Sequence, residues 1–309
     1  MQPHPPQPLT PIVVSSFPNA KALPLWIGEA AGVFQRFGLA LEIDLTPGSL
    51  TQREKLLDGR IHVAQAAIDN ALQLLVDGHE VIVAMGGESG MNDFIVQGDV
   101  ADFSAFRGRS LVVDAPNTGY ALQARKLLAG AGLRAGSDYS IVSVGNAGAR
   151  FAAMRDDKAN AGAVMNPPFS ARAKALGMRS LGRMSDLLGP YQAGGAFVMR
   201  HWAEQNPQLL ERYIKAYVCS LRLTLDPASR AMAVRLLAEK LAVPPAIAEA
   251  AYDDLADPGF GFTPDAKLDL AGVQNMLATR RQVEGAHAKI DAIESWIDLS
   301  YYDRALGEL

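Results

Sequence analysis

Cysteine is nearly absent: there is one, Cys219, in 309 residues. A single thiol forbids an internal disulfide and cannot by itself build a zinc site. Flanked by Tyr217, Val218 and Leu221, it reads as a core side chain rather than a nucleophile. An excess of charge is also missing. Twenty-nine Lys and Arg stand against 33 Asp and Glu, a net of −4, and no basic run exceeds Arg280-Arg281. Nucleic acid needs a concentrated positive field, so it is not an expected partner. The longest apolar runs, such as Val81 to Met85 and Leu221 to Leu225, fall far short of a bilayer span. Catalytic and metal-binding motifs are lacking too: no Gly-x-Ser-x-Gly elbow, no His-Glu-x-x-His and no phosphate-loop lysine. His4, His62, His79, His201 and His287 are scattered, and Asp253, Asp254 and Asp257 read as a solvated face. The glycine-rich run Gly130 to Gly136 follows a helical pattern, as a helix cap and loop do, and not a strand, as a dinucleotide fingerprint would. No metal and no cofactor is expected.

What is present is an ordinary globular composition, 49% hydrophobic and 20% charged, at about twice the usual length of one domain. The opening MQPHPPQPL is a Pro-rich tail over residues 1–9 without the basic and apolar segments of a signal peptide. From residue 11, strand-length runs alternate with helical stripes. Strands are expected at Ile12 to Val14, Leu41 to Leu45, Ile61 to Ala66, Val81 to Met85 and Phe94 to Gln97. After a restart they are expected at Ser110 to Asp114, Ser140 to Val144, Ala161 to Met165, Met178 to Leu181 and Gly194 to Met199. The clearest helix runs from Leu23 to Phe37, with Pro24 near its start and Gly38 as its stop. Beyond residue 206 the pattern turns to helical hairpins, ending in a stripe of Ile290, Ile293, Trp296 and Ile297.

This grammar gives an α/β fold: two lobes of mainly parallel sheet joined by two crossing strands, with a helical C-terminal segment. Residues 10–96 with 198–309 form the first lobe, and residues 97–197 form the second. A hinge at the two crossings places a ligand between the lobes, where strand ends meet helix N-termini.

The loops at those strand ends carry small neutral polar residues. Ser15, Ser16 and Asn19 follow the first strand, Ser49 the second, Asp69 and Asn70 the third, and Glu88 the fourth. In the second lobe Asn117, Thr118 and Tyr120, then Asn146, then Asn166 take the equivalent places. Hydroxyls and amides beside helix N-termini make a neutral cradle for an anion, although each residue alone is also a good helix cap. Asp69 either caps the helix that begins near Asn70 or recognises an amino group. Trp26 fits either an aromatic ligand wall or the core stripe of its helix. No catalytic residue is assigned.

Four stretches carry a family resemblance: ALPLWIGEAAGVFQRFGLALEI at 22–43, LLDGRIHVA at 56–64, FRGRSLVVD at 106–114 and IDLSYYDRAL at 297–306. Together they resemble the nitrate, sulfonate, taurine and pyrimidine-precursor group of ABC-transporter solute-binding proteins. The resemblance implies a type II periplasmic-binding fold, a small organic anion as ligand, a membrane permease as partner, a monomer, and a periplasmic location where a leader has been removed; with this start as the native one the location is cytoplasmic. Pyrimidine-binding members carry a histidine in the loop after the first strand, whereas here that loop reads Ser15-Ser16-Phe17-Pro18-Asn19-Ala20. The same fold hosts an aryl-sulfinate desulfinase with a catalytic cysteine just before a similar Pro-Asn-Ala. Ser16 and Phe17 stand there instead, and Gln65-Ala66-Ala67-Ile68 replaces that enzyme's Arg-x-Gly-Gly. The alternative reading is a cytoplasmic enzyme of this fold acting on a small aromatic acid by other means.

Overall fold

The computed structural model describes residues 8–285, 290 and 292–309. Most of the Pro-rich tail, with His4, and also His287 lie outside the described residues. Among the described residues ten strands form: β1 Thr10–Ser16, β2 Leu39–Leu45, β3 Val63–Ala67, β4 Val81–Glu88, β5 Asp93–Val96, β6 Ser110–Val113, β7 Ser140–Ser143, β8 Asn160–Met165, β9 Arg179–Arg183 and β10 Gly194–Met199. They build two five-stranded sheets, ordered β2-β1-β3-β10-β4 and β7-β6-β8-β5-β9. In each sheet four strands run in one direction, and one inserted strand runs antiparallel to its two neighbours. The inserted strand of the first sheet is β10, the returning chain; that of the second is β5, the arriving chain. All of β5 therefore pairs in the second sheet and all of β10 in the first, four residues before the division expected at 96/97 and 197/198.

The first sheet is covered by the long helix Pro207–Leu225 and by Leu23–Ala30, which share a core holding Trp26, Phe34, Tyr213 and Tyr217. Each such side chain contributes roughly 1.5–3 kcal/mol on leaving water. The helix expected over residues 23–37 is two pieces, Leu23–Ala30 and Val33–Arg36, because Gly32 takes the left-handed conformation at φ 66° and breaks the hydrogen-bond ladder. The closing stripe is also corrected. Ile293–Ser295 is a single 3-10 turn, after which Ile297 bridges Val83 as an added edge beside β4. The fully buried Trp296 satisfies the apolar spacing without a helix. Cys219 is half-buried against the first core. Asp253 and Asp254 end the helix Pro245–Ala256, and Asp253 and Asp257 pair with Arg230 and Arg183.

Candidate functional site

The carboxyl ends of both sheets face each other across a cavity of about 830 Å³, its open mouth included, a size suited to small-molecule ligands. One wall comes from the first half: Ser16 and Phe17 after β1, Gln65 to Ala67 at the end of β3, Tyr217 from the long helix and Phe262 from a later loop. The other comes from the second half: Asp114 after β6, Thr118 and Tyr120 at the next helix start, Arg150 after β7 and Asn166 after β8. The two halves touch around this space. Asn146 Nδ2 donates to Pro47 O at 2.8 Å, Ala20 N to Pro167 O at 3.1 Å, and Asn117 Nδ2 to Gln73 Oε1 at 3.0 Å.

Two cations line the cavity, and their situations differ. Lys21 Nζ donates to Glu88 Oε1 at 2.9 Å, to the Gly90 carbonyl and, across the cleft, to Tyr120 Oη at 3.1 Å. Burial works against its ammonium, but Glu88 and Tyr120 more than offset that and leave its pKa raised. The other Glu88 oxygen accepts from Gly90 N. The Glu88 carboxylate lies over Gly194, where a Cβ would sit 2.4 Å from Oε1, so a glycine is required there. Lys21 thus spends its charge within the protein. Arg150 is also buried, and burial lowers its pKa, with Asp114 acting in the opposite direction. Its Nε donates to Val164 O at 3.2 Å and its Nη1 to Gly145 O at 3.0 Å. Its Nη2 has no partner among the described residues.

Of the residues expected from sequence, Ser16, Asn19, Ser49, Asn70, Glu88, Thr118, Tyr120, Asn146 and Asn166 line the cavity. Most have their polar atoms engaged. Thr118 Oγ1 donates to Asp114 and Ala115 O, Ser49 Oγ reaches Asp114 Oδ2 at 3.4 Å, and Asn70 is held by Arg53 and Ala67 O. Asn19 and Asn146 accept from backbone N–H groups at helix starts, as caps do. Among the described residues the Ser16 hydroxyl and the Asn166 side-chain amide have no partner, and Asn166 Oδ1 is fully buried.

Four expected residues lie elsewhere. Ser15 Oγ turns away to Asp44 Oδ2 at 3.0 Å, because alternate strand residues face opposite sides. Trp26 is buried in the first core, on its helix's apolar face. Asn117 bonds Gln73 behind the cavity wall. Asp69 neither lines the cavity nor caps its helix: Oδ2 accepts from Tyr191 Oη at 3.0 Å, and Oδ1 lies 3.8 Å from Arg280 Nη1. Its carboxylate abuts Gly119, at the start of the helix Gly119–Gly130 from the opposite half, where a Cβ would meet Oδ2 at 2.0 Å. Burial raises the Asp69 pKa to about 6, against the pull of Arg280 and the Tyr191 hydroxyl.

Lys21, Asp114, Arg150 and Tyr217 were not singled out from sequence as site residues, and Gln65 entered only as the residue standing in for the desulfinase arginine. Gln65 Oε1 accepts from Tyr213 Oη at 3.0 Å, and its amide lies by the phenol of Tyr217, whose pKa burial pushes well up.

The model of a family described as NMT1-like matches residues 6–238. No curated protein sequence matches significantly. Among solved structures, the periplasmic nitrate-binding protein NrtA from Synechocystis PCC 6803 superposes with TM-score 0.81 at 13% identity, covering 97% of this chain and 89% of that one. The alkanesulfonate-binding protein SsuA from Xanthomonas axonopodis pv. citri, bound to MOPS, gives TM-score 0.74 at 17% identity over 94% and 99%. The desulfurization enzyme DSZB gives 0.65 at 17% identity over 96% and 99%. The architecture is the periplasmic-binding-protein fold that the sequence led us to expect.

Proposed function

The chain belongs to the NMT1-like family, and from that premise we propose that it is the solute-binding component of an ABC-type importer, a monomer that captures a small organic anion outside the cytoplasmic membrane and hands it to a permease. The observation that carries this reading is the cavity itself, set at the carboxyl ends of two sheets that only two short segments connect, residues 89–92 and 189–193. We place the hinge in those segments. Similarity to nitrate- and alkanesulfonate-binding proteins supports the reading. The enzyme alternative has less support: the nitrate- and alkanesulfonate-binding proteins superpose at TM-score 0.81 and 0.74 against 0.65 for the desulfurization enzyme, and Cys219 is not among the residues that line the cavity.

A ligand that binds only the folded, closed form stabilises it by mass action, about 2.7 kcal/mol at a hundred times Kd. Thermal melts against a panel of organic sulfonates and carboxylates test the reading, together with solution scattering on any compound that raises Tm. The expected result is at least one anion that raises Tm and lowers the radius of gyration. A panel that leaves both unchanged, or turnover of an aromatic acid by the purified chain, would refute it.

A further inference from the structure

Arg150 occupies the fourth position of the helix Ala147–Asp156, on the buried face it shares with Ala147, Phe151 and Met154. An arginine only 3% exposed is an expensive residue to place there unless its charge is met. Its bonds to Gly145 O and Val164 O meet two of its nitrogens with carbonyl dipoles and fix its plane. They supply no counter-ion, and among the described residues it makes no ion pair. Asp114 attracts it only from beyond contact and already accepts from Thr118 and Ser49. What remains is one nitrogen, Nη2, held rigidly by the two carbonyl bonds in a residue that lines the cavity.

The other cavity cation, Lys21, is closed off by Glu88, Gly90 and Tyr120. Most polar side chains of the first-half wall are likewise engaged within the protein, the Ser16 hydroxyl excepted, and beside them lies an apolar and aromatic surface from Phe17, Ala66, Tyr217 and Phe262. The cavity therefore draws its uncompensated charge from one half of the protein and most of its aromatic surface from the other. Building on the solute-binding reading, we infer that Arg150 holds the acidic group of the ligand, and that the ligand is an organic anion whose apolar body rests on Phe17, Tyr217 and Phe262. A bare inorganic anion would satisfy Arg150 and leave that wall uncovered. Arg150 is preorganised for a planar or tripodal oxyanion, since its carbonyl clamps hold the fork before the ligand arrives.

Titration calorimetry with benzenesulfonate, benzoate, 1-butanesulfonate and nitrate as probes, on the wild type and on Arg150→Gln and Arg150→Lys, tests the assignment. The wild type is expected to bind at least one organic probe more tightly than nitrate. Arg150→Gln should weaken that probe by ten- to a hundredfold or more, as loss of a charged hydrogen bond does. Arg150→Lys should fall between the two, because a lysine keeps the charge without the fork. Thermal melts of the ligand-free variants report whether each folds, and if the glutamine variant does not, the lysine variant carries the test. Wild-type affinity in a folded variant, or nitrate binding as tightly as the organic probes, would overturn the assignment while leaving the solute-binding reading intact. Absence of binding to every probe by the wild type would overturn both.

Discussion

The two walls of the cleft handle charge in opposite ways. The first half brings Lys21 to the cavity and cancels it at once with Glu88, which leaves it apolar surface and the Ser16 hydroxyl to offer a ligand on the proposed reading. The second half brings Arg150, braces it with backbone carbonyls and leaves it without a counter-ion among the described residues. Presence of a cation in a binding site is thus a poor guide to its role. The informative quantity is the number of hydrogen-bonding positions still open once the protein's own partners are counted.

The sharpest way to break this contrast is to open the first-half pair. Lys21→Met strands a buried Glu88 carboxylate, and removing one partner of a buried ion pair typically costs about 3–5 kcal/mol. Urea unfolding should show a loss of that size, and the double variant Lys21→Met with Glu88→Gln should recover most of it. A lysine that mainly serves the ligand would instead leave unfolding nearly unchanged and lower affinity.

Next in size is a pH effect at Asp69, the first-half carboxylate seated against the second half's helix start. Its pKa is raised to about 6 in the folded protein and returns to its ordinary value when solvated. The stability it contributes is fully present below about pH 4 and is lost as pH rises through about 6. A shift of this size corresponds to at most about 3 kcal/mol. Asp69→Asn should remove that dependence, so the stability gap between the two proteins should favour the variant increasingly from pH 4 to pH 6.5. A gap that stays constant across this range would show that Arg280 and Tyr191 keep the carboxylate ionised in the folded protein.

Smaller again is the apolar wall. Phe17→Ala should weaken an aromatic anion by about 1–2 kcal/mol, the value of part of a buried ring, and calorimetry should show nitrate unaffected. The smallest effect is expected at Thr118→Ala. Its single hydroxyl proton is already given to Asp114 and Ala115, so affinity should change by less than about 1 kcal/mol. Ser16→Ala, by contrast, removes an unengaged hydroxyl and should weaken binding by about tenfold. Equal effects at Thr118 and Ser16 would remove the distinction between engaged and open groups.

Strand positions were legible in the sequence because each strand is a short apolar run ended by turn chemistry, as at Thr46-Pro47-Gly48 after β2. The same signal located the rim of the cleft, since loops at strand ends are where small polar residues gather. It could not tell an open hydroxyl from an occupied one, because the partner of Thr118 or Ser15 is set by which face of a turn or strand it leaves from. Arg150 escaped notice for a different reason: an arginine inside a helix reads as a solvent-facing residue. The sequence did hold a clue, because Ala147, Phe151 and Met154 make an apolar stripe in which Arg150 falls on the buried side. A charge on an apolar stripe is the pattern worth seeking in related chains. Asp69 was misjudged because its neighbours come from residues 119, 191 and 280, too distant in sequence for any local pattern to reveal.

The placement of β10 between β3 and β4 also bears on the order in which the molecule can be made. β4 joins its sheet only through β10, whose residues follow it by more than a hundred positions. A ribosome that has released β1 to β4 has delivered four strands of a five-strand sheet without the piece that links the fourth to the others. The second sheet carries no such debt, for β5 to β9 are contiguous and pair among themselves. The second half, begun later but finished earlier, is therefore free to complete itself first, while the exposed edges of β3 and β4 wait for the returning strand and stay open to mispairing until it emerges.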